Sequence, residues 1–142
     1  MKVLYAVVIG LTALACASVQ PAKVEVGDRC LRCRRPVTDL RMAGELIDAM
    51  QAPFPFRTPG CLAKYVKDNA GTPFTALFVT DFKTGRMFAA SDAWFVPTIV
   101  TSPDGRTAEP DYYAFRTRSE AEGFKAGNTT FLRWAQVVAA AN

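Results

Sequence analysis

The chain has 142 residues, half of them apolar and 21% charged. That bounds it to one domain or two small fused units of ordinary globular composition, and excludes a disordered or multi-span membrane protein. The net charge of +4 is mild and the basic residues are interspersed with acids, so no nucleic-acid footprint is present and only a weak attraction to anionic surfaces follows. Histidine is absent from the sequence. The commonest general base and the commonest transition-metal ligand are therefore both missing, and a metal site must be built from Cys, Met, Asp, Glu or backbone oxygen.

Met1 to Ala15 have the organisation of a signal peptide. Lys2 is a minimal positive start, Val3 to Leu14 form an apolar run too short to span a bilayer, and Ala13-Leu14-Ala15 offers the small residues a signal peptidase reads. Cys16 follows directly, in the place where a lipoprotein carries its diacylglycerol thioether; plain cleavage to a soluble periplasmic chain is the alternative. Lipidation at Cys16 would anchor the chain in the periplasm, and the non-acidic residue after it suits the outer membrane. Residues 16–26 then read as a tether, 27–82 as a first unit carrying the cysteines, and 83–142 as a second, structural unit.

Gly27 to Asp39 is polar, arginine-rich and contains Cys30, Cys33 and Pro36; it reads as a loop or knuckle. Glu45 to Met50 suits a strand, Ala52-Pro53 breaks it, and Phe54 to Arg57 resumes an extended run. Thr58-Pro59 opens a helix through Cys61, Leu62, Tyr65 and Val66, stopped at Asn69-Ala70-Gly71. Cys61 falls in its first turn, where the macrodipole favours a thiolate. Thr75 to Thr80 is a strand, Lys83-Thr84-Gly85 a hairpin turn and Arg86 to Ala90 the return strand. Trp94 to Thr101 is a strand with Pro97 marking an edge, Ser102-Pro103-Asp104-Gly105 a turn, and Tyr112 to Phe115 another strand. Thr117-Arg118-Ser119-Glu120 is a capping box opening a helix to about Ala126, ended at Gly127-Asn128. Thr130 to Val138 is expected as a final strand.

An internal echo runs through this order. Phe56-Arg57-Thr58 before one helix matches Phe115-Arg116-Thr117 before the other, and Glu120 stands where Cys61 stands in the first copy. The chain therefore reads as an α+β fold of two related β-β-α-β units, with antiparallel sheets and one short helix each.

Three thiols carry the chemistry. Cuprous ion prefers thiolate and thioether ligands and needs only two or three. Cys30, Cys33 and Cys61 can supply a trigonal site, with Met42, Met50 or Met87 as substitutes for one of them, and Arg29, Arg32, Arg34 and Arg35 are placed to favour thiolates. Structural zinc needs four ligands and would have to recruit Asp28 or Asp39. A thioredoxin-like role would put the pair at a helix start within a βαβ unit, and haem attachment fails because Arg34 stands where a histidine is required. A structural disulfide is the bland reading, since exported cysteines normally oxidise. Asp81 and Asp92 read as solvated turn residues, and Phe78, Phe88, Trp94 and Phe95 as core. No nucleophile elbow, phosphate loop or carboxylate pair supports an enzyme.

These residues, in this order, resemble the nitrous-oxide-reductase accessory lipoproteins of the NosL type, which are periplasmic copper chaperones. The resemblance is carried by a lipoprotein-like start, Cys30-x-x-Cys33, Gly60-Cys61-Leu62 and its helix, Phe78-Val79-Thr80-Asp81, Thr84-Gly85-Arg86, Ala93-Trp94-Phe95-Val96, Tyr113-Ala114-Phe115, and a helix with Ala121 and Phe124. It implies two β-β-α-β units similar to the organomercurial-lyase fold. It also implies Cu(I) bound and delivered to a client such as nitrous oxide reductase, with a membrane transporter as the copper source. Two departures stand out. The family usually shows Cys-Gly-Met, where this chain has Cys33-Arg34-Arg35, and a Met-Gly before the Ala-Phe strand, where this chain has Pro103-Asp104-Gly105. The remaining expectation is a disulfide-stapled periplasmic assembly or interaction lipoprotein without metal.

Overall fold

A computed structural model of the chain describes residues 18–102, 104–124 and 130–142. The expected signal segment, Cys16, Pro103 and the expected helix end from Ala126 to Asn128 lie outside them.

A 3-10 turn at Leu40–Met42, capped by the Asp39 side chain, leads into strand β1, Gly44–Asp48. The Asp48 carboxylate accepts from the N–H groups of Met50 and Ala52 at 2.8 Å each, which turns the chain back into β2, Pro53–Phe56. β2 is the edge strand of a four-stranded antiparallel sheet, β2-β1-β3-β4, so Pro53 and Pro55 forfeit no ladder bond. Helix α1, Pro59–Asp68, starts as expected. The Thr58 hydroxyl oxygen accepts from Cys61 N–H at 3.2 Å, and Pro59 takes a position that needs no donor. The helix lies closely on β1, where a Cβ on Gly44 would stand 3.3 Å from the Leu62 side chain. β3, Phe74–Thr80, returns beside β1, and the turn with Gly85 at φ 71° leads to β4, Met87–Ala89. Asp81 is fully buried at that turn rather than solvated, accepting from the Thr84 hydroxyl at 2.5 Å. The expected boundary at residues 82 and 83 falls inside this hairpin, both of whose strands belong to the first sheet.

A second 3-10 turn at Ala90–Asp92 precedes β5, Trp94–Thr101, which pairs along its length with β6, Ala108–Phe115. Helix α2, Arg118–Phe124, follows. Thr117 caps it as expected: its Oγ accepts from Glu120 N–H at 3.2 Å, and its hydroxyl donates to the Glu120 carboxylate at 3.0 Å. Each half thus runs 3-10 turn, antiparallel strand pair, helix, and the two form an α+β fold. The last strand departs from expectation. It is reduced to a bridge between Phe95 and Leu132, and Trp134–Ala140 forms helix α3 instead. Its alanines are strong helix formers, and Gln136 accepts from Arg133 N–H at 2.8 Å at its start. As a helix it buries Val137 completely and stacks Trp134 on Phe95, ring centroids 5.7 Å apart. Phe56, Leu62, Val79, Phe95 and Val137 share one core with Cys30 and Cys61.

The segment expected as a tether is strapped down. Val24 is buried against Val37 and Ala43, and Ala22 N–H donates to the Glu45 carboxylate at 2.8 Å. Gly44 faces α1, so Glu45 projects from the opposite face of the sheet, and the strap covers that face. Glu45 is 1% exposed, and its second carboxylate oxygen has no hydrogen-bond partner. Burial pushes its pKa above the ordinary 4.5. A carboxyl that holds its proton more tightly when folded penalises folding as pH rises past its unfolded value. Glu45→Gln is therefore expected to melt higher than the native chain at about pH 7, with the gain vanishing at about pH 4. A gain equal at both pH values in thermal denaturation would place the penalty elsewhere.

Candidate metal centre

The knuckle around the cysteine pair is a small hydrogen-bonded loop. Val37 N–H donates to Asp28 O at 2.8 Å, Cys30 N–H to Arg35 O at 3.0 Å, and Arg34 N–H to Cys30 O at 3.0 Å. Arg34 closes it with φ 61°, in the left-handed region. The loop docks on β2: Leu31 N–H donates to the Pro55 carbonyl at 2.9 Å, a group left unpaired because β2 is an edge. This seats Cys30 wholly inside the core and leaves Cys33 half-buried.

The third thiol is placed by α1, and α1 is placed by both halves of the molecule. Asp111, on β6 and 4% exposed, accepts from Gly60 N–H at 2.8 Å and from Tyr112 N–H at 2.9 Å. Burial raises its pKa, while hydrogen bonds from the Thr58 hydroxyl and these amides, with the charge of Arg57, act the other way. Arg57, itself buried, extends toward Glu109 on β6 at 3.8 Å, and the other oxygen of Glu109 meets Arg35 of the thiol loop at 3.7 Å. One carboxylate thus joins the loop of Cys30 and Cys33 to the corner that starts the helix of Cys61.

The three sulfurs lie within 4.8 Å of one another, and those of Cys33 and Cys61 are 3.8 Å apart. Hydrogen bonding from Cys61 outweighs burial and, with the backbone N–H groups of Cys33 and Arg57, pulls the Cys30 thiol from 9.0 down to about 5. Cys61 moves up, first because it donates to Cys30 and then because it is buried. This corrects two expectations. The helix start does not make Cys61 the thiolate, because its first amides are already taken by Asp111 and Thr58 and its sulfur faces an anionic neighbour. The loop arginines do not produce the thiolate either: Arg32 meets Asp68 at 3.5 Å, Arg35 meets Glu109, and Arg29 donates to the Arg34 carbonyl at 3.1 Å.

The substitute ligands are elsewhere. Met50 is 88% exposed at the β1–β2 turn, Met42 is buried on the first 3-10 turn, and Met87 packs with Val24 and Val37. Asp28 accepts from Glu25 N–H and Asp39 is paired with Arg41, so neither completes a zinc site. Asp92 sits on the second 3-10 turn and accepts from Ser91. Sequence reasoning missed Asp111, Arg57 and Glu109. The available signal was an acid in the middle of a strand, a residue type strands avoid.

Two outcomes follow from this geometry. Asp111→Ala leaves the buried Gly60 N–H unpaired and is expected to cost about 1–3 kcal/mol in urea unfolding; an unchanged midpoint would remove Asp111 from its place at the helix start. The reduced, metal-free chain is expected to show one thiolate by ultraviolet absorbance at neutral pH, titrating away at about pH 5. Cys30→Ser should abolish that signal while Cys33→Ser leaves one.

No family model matches the chain, and no curated protein sequence does. Among solved structures, the copper chaperone NosL from Shewanella denitrificans aligns with a TM-score of 0.64 at 19% identity, covering 82% of this chain and 94% of that one. Among the described residues no helix is long and apolar enough to cross a membrane. The chain has the fold of that copper chaperone, and three converging thiols within it.

Proposed function

We propose that the chain is a metallochaperone that binds Cu(I) through Cys30, Cys33 and Cys61. It would deliver the ion to a copper enzyme such as nitrous oxide reductase, after receiving it from a membrane transporter. The carrying observation is the mutual approach of the three sulfurs within 4.8 Å. Three thiolates around one ion at the roughly 2.3 Å of a metal–thiolate bond would stand about 4 Å apart, so the cluster closes on an ion with small side-chain shifts. Thiolate donors in a chain without histidine suit Cu(I) over Cu(II). Cys30 offers a thiolate already, and the ion replaces the protons on its neighbours. The half-buried Cys33 is the sulfur an acceptor ligand reaches first, so transfer proceeds by exchange at Cys33 while the two buried thiols hold on. A lipid on Cys16 would keep this carrier at the periplasmic face of the outer membrane. Its task is transport of an ion, with no catalytic step.

The 3.8 Å approach of Cys33 and Cys61 supports a second reading, in which these two oxidise to a disulfide and the chain serves as a metal-free assembly or interaction lipoprotein. Anaerobic titration of the reduced chain with Cu(I) against a competing chelator separates the two. One equivalent is expected to bind, with the affinity lost in the Cys30→Ser/Cys33→Ser/Cys61→Ser variant. Equal retention by both chains would end the copper reading. Intact mass after alkylation of protein taken from its native compartment reports the disulfide, and on the same spectrum the lipid.

A further inference from the structure

The loop that carries Cys33 bears more cations than the molecule itself neutralises. Arg32 and Arg34 flank Cys33 directly, and Arg29 joins them on the exposed side of the same loop. Arg29 and Arg34 form no ion pair among the described residues; Arg29 reaches only the Arg34 carbonyl. Arg35 and Arg57 share the single carboxylate of Glu109. Arg32 has one exposed partner, Asp68, at 3.5 Å. Arg34 adopts φ 61°, a conformation in which glycine would be free of strain. A cation is thus held at that turn against the local backbone preference. Asp28, the nearest acid in sequence, is turned into its own loop by the Glu25 N–H.

We infer that this cationic loop is a docking surface for an acidic protein partner, one that sets carboxylates against Arg29, Arg32 and Arg34 while its own ligand approaches Cys33. The inference rests on the carrier reading for its purpose and on the loop alone for its physics. Guanidinium forks match carboxylates in geometry. Charges at the rim of an interface act chiefly on encounter rate and on the choice of partner. A carrier needs that selectivity, because it must release its ion to one acceptor and hold it against others.

The test uses thiol chemistry as a probe of charge and needs no metal. The reduced, metal-free chain is treated with DTNB, a dianion, and with dithiodipyridine, which is neutral, and initial rates are compared. In Arg29→Gln/Arg34→Gly the DTNB rate is expected to fall about tenfold while the dithiodipyridine rate is unchanged. Added salt should slow DTNB on the native chain only. Lys83→Gln/Arg86→Gln, which removes the same charge beside β4 at the far edge of the sheet, should match the native chain. Equal slowing of both reagents, or an equal effect in the far-edge control, overturns the inference. On the copper-loaded chain, transfer to the anionic chelator bathocuproine disulfonate should show the same loss in the variant, and transfer to neutral neocuproine should not. A chain that takes up no copper sinks the carrier reading and leaves the reagent comparison standing. Capture of the native chain, but not the variant, by vesicles containing phosphatidylserine would reassign the loop to a membrane and overturn the protein partner.

Discussion

The hydrogen bond from Gly60 N–H to the Asp111 carboxylate is the contact on which the site depends. A carboxylate buried to this degree is expensive unless several donors converge on it. Here two amides, the Thr58 hydroxyl and the charge of Arg57 do so. The arrangement places a negative group on the positive end of α1. It also explains the glycine, because a Cβ at position 60 would stand 2.9 Å from the carboxylate. Cys61 is the next residue. Its sulfur is therefore aimed by a strand of the second half of the chain, although all three thiols belong to the first.

The two halves show how this came to be required physically. In α2 Thr117 at the cap accepts from Glu120 N–H and donates to the Glu120 carboxylate, which also meets Lys83 at 3.2 Å. In α1 the same two positions are Thr58 and Cys61. Cys61 brings no carboxylate to that end of the helix, and the carboxylate found there is that of Asp111 on β6, which accepts from Gly60 N–H. Trading Glu for Cys at that position makes the helix available for sulfur chemistry and at the same time makes it depend on the other unit.

How much of this was legible follows from the range of each interaction. The start of α1, the Thr117 cap of α2, the hairpin at Gly85 and the paired strands were readable because their determinants lie within a few residues. Helix α3 was misread as a strand: Thr130 to Val138 is rich in β-branched and aromatic residues, and the outcome was decided by packing of Val137 and Trp134 against distant partners. The strap was invisible because Val24 and Ala22 find Val37, Ala43 and Glu45 through the fold. The candidate site divides the same way. The pair Cys30 and Cys33 announces itself by spacing, whereas Cys61 lies 28 residues from Cys33 and Asp111 lies 51 residues from Gly60. No periodicity reports such approaches. The three thiols were grouped by their donor chemistry in a chain without histidine, and neither that chemistry nor the family resemblance gave a hint of Asp111 or Glu109.

The departure from that family pattern after Cys33 keeps the shape of the loop. Where Gly-Met is usual, the chain has Arg34-Arg35. The backbone at 34 still takes the left-handed turn a glycine would take, and the side chain at 35 leaves the site to meet Glu109. The loop keeps its shape while losing a neutral soft donor. A site left with three thiolates around Cu(I) would carry two net negative charges, where replacing one thiolate by a thioether would carry one. Charge of that size in a partly buried site demands compensation, and the groups that meet the buried sulfur of Cys30 are the backbone N–H groups of Cys33 and Arg57, while Arg32 and Arg35 are paired with Asp68 and Glu109. The all-thiol donor set therefore leans on the backbone of the loop and of the corner at Arg57, and the exposed Arg29 and Arg34 are left facing outward.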